Sequence, residues 1–447
     1  MATTSPIPDP GPPSGARDGE GTSDWHPATR VAFRFCFVYF SLYILITQTL
    51  QAFLDVPGLS LPDLGVLPPF RPLFRWIGKH ILGVALPATR PLTASGDTLY
   101  SWVAVFSLLL IATVTTVIWS VVARRGTEHA ALYGWFRLVL RLALGVTFLY
   151  YGFAKVIPQQ MPILDLPRLV EPFGNFSPMG VLWSSVGAAP AYEIAIGCAE
   201  VLAGLLLFFP ATSLAGALIA LMDAAMVFLL NMTYDVNVKL LSLHLILMSL
   251  VLIAPNACTL FDFFIRHRAV RLRREPAVGG SPSAWRRIVI AQAVFCVYSF
   301  VLFAFYGIRE WKVSGAGAPR SALFGIWDVD SMVVGGVAKA PLLSDTTRWR
   351  RLIFQQPSAA TFQRMDDTFR RYNATIDSSA RSLTLSSPDT STARTLLTYR
   401  RLGHEHLLID GKMNDQDVHL ALTFRDPDSF LLRRRGFHWI SGLPFNR

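Results

Sequence analysis

Apolar runs long enough to cross a bilayer recur seven times along the chain: Val31 to Ala52, Leu99 to Val122, Leu132 to Ile157, Ala191 to Phe209, Ala211 to Leu230, Val236 to Ala254 and Ile288 to Tyr306. Each holds roughly 20 residues, the length a helix needs to traverse a hydrocarbon core about 30 Å thick at 1.5 Å per residue. The turns between runs four, five and six are so short that those helices must be antiparallel neighbours, so runs three to six predict one four-helix bundle. From about Arg320 the texture changes to short β-branched and aromatic stretches broken by Gly, Pro, Asp and Asn. Segments 394–401, 404–410, 417–425 and 430–435 read as strands, and the whole predicts an antiparallel β-barrel or sandwich of about eight strands. The fold class is therefore a mainly α-helical integral membrane protein with a β-rich domain after the last span.

The connections complete the layout. Residues 1–29 are rich in Pro, Gly, Ser and acidic side chains without an apolar period, which predicts a disordered cytoplasmic leader. Residues 30–131 hold two spans joined by a long outer loop, in which Phe70 to Val84 sets Arg71, Arg75 and Lys79 on one helical face and Phe74, Ile77 and Ile81 on another. That pattern fits a helix in the membrane interface or one packed on the bundle. The four-helix core covers 132–262, an arginine-rich loop 263–287, the seventh span 288–307 and the β-domain 320–447. Arg34, near the start of the first span, is placed to snorkel toward the interface.

Composition agrees with the pattern. Of 447 residues, 52% are hydrophobic and 16% charged, and the mean hydropathy is +0.40, whereas soluble domains carry about a quarter charged residues. The formal charge of +11 does not indicate nucleic acid, because the arginines cluster beside spans and no nucleic-acid motif accompanies them. By the positive-inside rule, Arg124 and Arg125 and the loop from Arg266 to Arg287 are cytoplasmic. The amino terminus is then inside and the β-domain outside. Cys36, Cys198, Cys258 and Cys296 stand singly in or beside apolar runs, which supports neither a disulfide nor a thiol redox centre.

Candidate chemistry concentrates in the core. Asn231 to His244 is a polar stretch between apolar runs, and a helix beginning near Asp235 would put Asp235 and Lys239 on one face. Scaled at about 1.5 Å per residue, Lys155, Glu193, Asp235 and Lys239 lie close to the outer ends of their helices, while Arg141, Glu200, Asp223 and His244 lie near mid-membrane. Depth pairs Arg141 with Glu200 and Asp223 with His244. Two readings follow: fixed ion pairs holding the helices in register, or a polar pocket open to the outside that binds a quinone headgroup, a small acid or a proton. In the second, Glu200, Asp223 and His244 form a proton-accepting group beside a quinone. His244 stands alone within a span, which argues against a haem. His404 and His406 share a strand face, with His419 and His438 nearby; an exposed hairpin is preferred there to a metal site. Motifs for a catalytic nucleophile or a nucleotide are absent from fitting contexts. Asn175, Asn231 and Asn373 each head an N-x-S/T triplet.

Arg141-Leu-Ala-Leu-Gly145 running into Tyr151-Gly-Phe-Ala-Lys155, followed by Glu193, Gly197, Glu200 and Gly204, resembles the DoxX-like family of bacterial membrane proteins over about residues 132–262. The resemblance implies a compact four-helix core and, for some members, a place as a subunit of a quinone-linked oxidoreductase. Three further spans and the β-domain depart from that plan. Gly325-Ile326-Trp327 is similar to the G-x-W of lipocalin-type barrels. The function expected is a membrane component of a redox or envelope-maintenance system that binds a quinone or a small hydrophobic ligand. It has no intrinsic cofactor, and a redox or envelope partner brings any electron-transfer centre. The competing classes are a non-enzymatic transporter or lipid-binding protein, and a membrane scaffold for an envelope partner.

Overall fold

The computed structural model describes residues 25–58, 62–87, 96–123, 129–387 and 394–446. The expected leader and the Arg124/Arg125 turn lie largely outside these segments. Seven helices are long and apolar enough to cross a membrane: span 1 (Pro27–Ile46), span 2 (Leu99–Val122), span 3 (Ala130–Val156), span 4 (Pro190–Phe208), span 5 (Ser213–Thr233), span 6 (Lys239–Phe264) and span 7 (Pro282–Val313). The protein is thus a multi-pass membrane protein with a β-barrel domain. Helices suit the bilayer because every backbone polar group is satisfied within the segment. Span 3 is the most enclosed, with 78% of its apolar window buried against 22–44% for the others. It carries three cationic side chains, Arg137, Arg141 and Lys155, and the depth of its burial is what obliges them to find partners.

The chain divides into two compact units, one of residues 1–148, 202–228 and 237–299 and the other of residues 149–201, 229–236 and 300–447. In the first, spans 1 and 2 pack through Tyr39, Phe40, Tyr43, Val103, Ala104 and Leu108. Span 2 starts where the Thr98 hydroxyl accepts the Ser101 N–H at 3.1 Å, an N-cap that satisfies one of the orphan donors of a helix start. The amphipathic helix expected over 70–84 runs from Phe70 to His80. Phe74 and Ile77 are buried, whereas Ile81 lies past the helix end and half-exposed.

The second unit contains the barrel. Its strands are β1 (Gly325–Val334), β2 (Val337–Ala338), β3 (Trp349–Phe354), β4 (Ala359–Arg364), β5 (Phe369–Asp377), β6 (Ser382–Ser386), β7 (Arg394–Leu402), β8 (His406–Met413) and β9 (Gln416–Arg425). β1 and β3 to β9 form an antiparallel meander that closes when β1 pairs with β9 from Ile326↔Arg425 to Val334↔Val418, with a bulge between Val329 and Ser331. β2 is only a hairpin return on β1. Closure removes the free strand edges. Alternate residues point inward, and Trp327, Phe354, Phe362, Leu383, Leu407 and Ile409 fill the interior at 0–1% exposure, as expected when eight strands leave room for side chains alone. Gly325 lies at φ +137°, and a Cβ there would come within 2.2 Å of the Phe424 ring. Trp327 beside it donates its indole N–H to the Leu323 carbonyl at 2.9 Å, and the Arg401 guanidinium lies 5.6 Å from its ring centre. The strand expected over 430–435 is instead a short helix, Leu431–Arg434, because the β1–β9 pairing closes the sheet and leaves no edge for another strand.

The loop between spans 3 and 4 is held to the barrel within this unit. It contains the helices Leu166–Val170 and Pro178–Gly187, the latter capped by the Ser177 hydroxyl. Gln355 accepts the Leu166 N–H at 2.8 Å and donates to Asp165 at 2.6 Å. The fully buried Gln363 donates to the Val170 carbonyl at 3.2 Å and accepts from Arg351 at 2.8 Å. Leu166 also packs on Ile326 and Ile353, so an apolar contact accompanies the amide clamps.

Candidate functional site

Among the described residues, three buried polar centres involve the expected site residues or their neighbours, one in the second unit and two in the first. In the second unit, Lys155 Nζ donates to both carboxylate oxygens of Glu200 at 2.6 and 2.7 Å. The contact depends on two glycines. A Cβ on Gly197 would sit 2.6 Å from the Val156 nitrogen, and one on Gly152 would sit 2.9 Å from the Val201 nitrogen. Small residues let these two helices approach closely enough for a short ion pair to form. Glu193, about two turns nearer the start of span 4, accepts the Met161 N–H at 3.0 Å with one oxygen. The expected outer tier of Lys155 with Glu193 is therefore partly redrawn: Lys155 turns to Glu200, and Glu193 holds the backbone of the loop.

In the first unit, Arg137 grips Glu275 with two hydrogen bonds, the Nε–Oε2 contact measuring 2.9 Å. Glu275 also accepts from the Ser213 hydroxyl at 3.1 Å, and Arg137 donates to the Leu252 carbonyl at 3.1 Å. The single glutamate of the arginine-rich loop thus ties spans 3, 5 and 6 together. Burial pushes the Glu275 carboxyl up, but the hydrogen bond and charge of Arg137, helped by Arg141 and Ser213, outweigh it and hold the group below the usual carboxylate range. Arg141 donates to Gln292 of span 7. Depth alone pairs Arg141 with Glu200; the structure gives Gln292 to the one and Lys155 to the other, because side-chain reach and helix rotation also select partners.

The third centre surrounds His244. Its Nδ1 donates to the Leu240 carbonyl at 2.6 Å, which leaves Nε2 to accept from the Tyr39 hydroxyl at 2.7 Å. A carbonyl only accepts, so Nδ1 carries a proton, and in the neutral ring Nε2 is then the acceptor for the Tyr39 hydroxyl. Tyr43 stacks on the ring at 3.9 Å, interplanar angle 3°. With both nitrogens engaged, His244 has no bond to offer Asp223, which is half-buried on span 5.

Next to Tyr43 lies a cavity of about 80 Å³ lined by Phe74, Tyr100, Ala104 and Leu108 on its apolar walls and by Thr47, Gln48, Asp97 and Ser101 among its polar groups. Asp97 is the residue that the sequence hid. Its carboxylate accepts the N–H groups of Lys239 and Leu240 at 2.7 and 2.9 Å, and Lys239 Nζ stands 4.0 Å away. The acid at the start of span 6 is therefore Asp97, supplied from just before span 2, and not Asp235. Asp235 adopts φ +52° in the turn before the helix, and the helix begins at Lys239, so the two do not share a helical face. A carboxylate that accepts the first N–H groups of a helix is the stable arrangement there. Tyr39 and Tyr43, four apart on span 1, were legible only as apolar positions of a span.

In the barrel, His419 meets Asp410 at 2.8 Å and His406 lies 3.3 Å from the Thr423 hydroxyl. Among the described residues no group of three or more His, Cys, Asp or Glu side chains stands ready to hold a metal ion.

Comparison with known proteins finds one informative relative. The chain is 34% identical over 113 residues to YwoB of Bacillus subtilis (strain 168), an uncharacterized protein, and the match spans 25% of this chain and 71% of that one. The chain belongs to the same family as YwoB. No protein-family model and no solved structure matches it.

Proposed function

We propose that this member of the YwoB family is a membrane component of a redox or envelope-maintenance system that binds a quinone or a similarly small ring compound in the cavity beside Tyr43. The observation that carries the proposal is that cavity's composition: aromatic and aliphatic walls, with hydroxyl, amide and carboxylate groups at hand. Such a mixture suits a flat apolar ring whose oxygens need orienting, as small-molecule sites generally do. Behind it, neutral His244 stacks on Tyr43 and takes a hydrogen bond from Tyr39, a tunable group for the two protons that accompany two-electron reduction of a quinone to a quinol. The two electrons come from a partner protein. The resemblance of residues 132–262 to DoxX-like proteins supports the same reading.

The protein sits in the bacterial cell membrane with its amino terminus in the cytoplasm and its barrel outside, which the arginine-rich loop supports through the positive-inside rule. A scaffold role for the barrel is a second reading. It is favoured by the packed interior and by the glutamine clamps on the loop between spans 3 and 4. Native purification in mild detergent, with mass spectrometry of bound small molecules, tests the main reading. Stoichiometric quinone that is lost in Tyr43→Leu and Asp97→Asn variants is the expected result. Quinone absent from the folded protein, or unaffected by both changes, overturns it.

A further inference from the structure

Where span 7 ends, the second unit presents a site that the proposed ring-binding cavity does not involve. Span 7 has no charged residue from Ile288 to Ile308, a length of about 31 Å that matches the hydrocarbon core. Arg309 and Lys312 follow, so the helix end at Val313 falls about 7–8 Å further on, at headgroup level. There a cavity of about 190 Å³ is lined by Ser314 and Arg320 after the helix, by Ile163 and Leu164 of the loop between spans 3 and 4, and by Phe324 and Arg433 of the barrel domain. The Arg320 guanidinium lies 4.7 Å from the Phe324 ring centre, and Arg433 is 3.3 Å from Asp428. Asp165 also lines the cavity, with one oxygen engaged by Gln355.

Basic and apolar side chains also cluster in the chain around and after Arg433. Segment 429–446 carries Arg433, Arg434 and Arg435 and no acidic residue. It also exposes Phe437 at 77%, Trp439 at 91%, Ile440 at 90% and Leu443 at 83%. Large apolar and aromatic side chains bared together, next to clustered arginine, mark an interaction surface. That combination is the composition of a segment lying in a membrane interface, where Trp and Phe settle at the headgroup boundary and cations meet anionic lipid.

We infer that residues 430–446 dock into the bilayer surface beside the exit of span 7, and that the cavity between Arg320 and Arg433 receives the headgroup of an anionic phospholipid. Arginine suits a phosphate because its planar fork bonds two oxygens at once. The apolar wall made by Ile163, Leu164 and Phe324 accommodates the glycerol end of the acyl chains. The barrel domain is thereby held against the membrane at two points, the helix it follows and this segment.

The test uses the full chain reconstituted in phosphatidylcholine vesicles with brominated acyl chains, with and without phosphatidylglycerol. Trp439 emission is taken as the difference between the protein and its Trp439→Phe variant, which alters only an exposed side chain. The expected result is a blue-shifted emission that bromine quenches, more strongly when phosphatidylglycerol is present. Arg320→Gln with Arg433→Gln should abolish that increment while leaving the quenching in plain phosphatidylcholine. Red-shifted, unquenched emission in both vesicles would overturn the docking, and quenching indifferent to the anionic lipid would overturn the headgroup site.

Discussion

Lys155 Nζ and the Glu200 carboxylate form a two-bond ion pair inside the membrane-spanning part of the protein, both side chains buried. With both side chains buried, removing either partner leaves the other a buried group stripped of its two hydrogen bonds. Lys155→Met should cost about 3–5 kcal/mol because it strands a buried carboxylate. Lys155→Met with Glu200→Leu should recover most of that loss. Thermal unfolding of the four members of the cycle in detergent measures it, and a double variant no better than the singles would show that the pair is not the coupled unit described.

The close approach that permits this pair is itself testable. A Cβ on Gly197 meets backbone atoms of the facing helix, which cannot swing aside as a side chain can. Gly197→Val should therefore destabilise the protein by about 1–3 kcal/mol or more through overpacking, and should lengthen the Lys155–Glu200 contact. A melting temperature equal to that of the parent protein would contradict the helix spacing.

Glu275 gives a pH dependence of defined sign. Its folded pKa lies below the ordinary value of 4.5, so the folded state favours the carboxylate. The resulting stability is fully present above the unfolded pKa and is lost as pH falls through the folded one. Unfolding followed from neutral pH down into the acid range should show the protein losing stability below about pH 4.5, the ordinary carboxylate pKa region. Glu275→Gln should be less stable at neutral pH and should have a flatter acid limb. Parallel curves for the two proteins would remove Glu275 from the acid response.

Orientation is read by reporters. A periplasm-dependent enzyme fused after Arg447 should be active, and one fused near Arg273 should be silent, with a cytoplasm-dependent reporter giving the converse. The opposite pattern would reverse the membrane topology.

The architecture was largely legible. The seven spans coincide with the apolar runs to within a few residues at most ends, because insertion in a bilayer depends on summed hydropathy, a local property. The barrel was legible as a class, since strand alternation and turn residues are also local. Closure was not: the pairing of β1 with β9 joins Trp327 to Phe424 across nearly the whole domain, and no local signal sets that register. The strand expected at 430–435 failed for the same reason, since whether an apolar stretch pairs depends on a free edge that only the assembled sheet defines.

The site separates the two levels further. Sequence alone determined that Arg141, Lys155, Glu193, Glu200, Asp223, Asp235, Lys239 and His244 are ionisable groups in or beside apolar spans, and their cost in a bilayer made them notable. It determined too that the arginine-rich loop holds one glutamate. Tertiary structure alone decided the partners: Glu200 for Lys155, Gln292 for Arg141, Tyr39 for His244, and Asp97 in place of Asp235 at the start of span 6. The physical reason is range. Hydropathy is a sum over neighbours in the chain, whereas a hydrogen bond is fixed within a few tenths of an ångström by helix rotation, crossing and spacing, to which residues far apart in sequence all contribute.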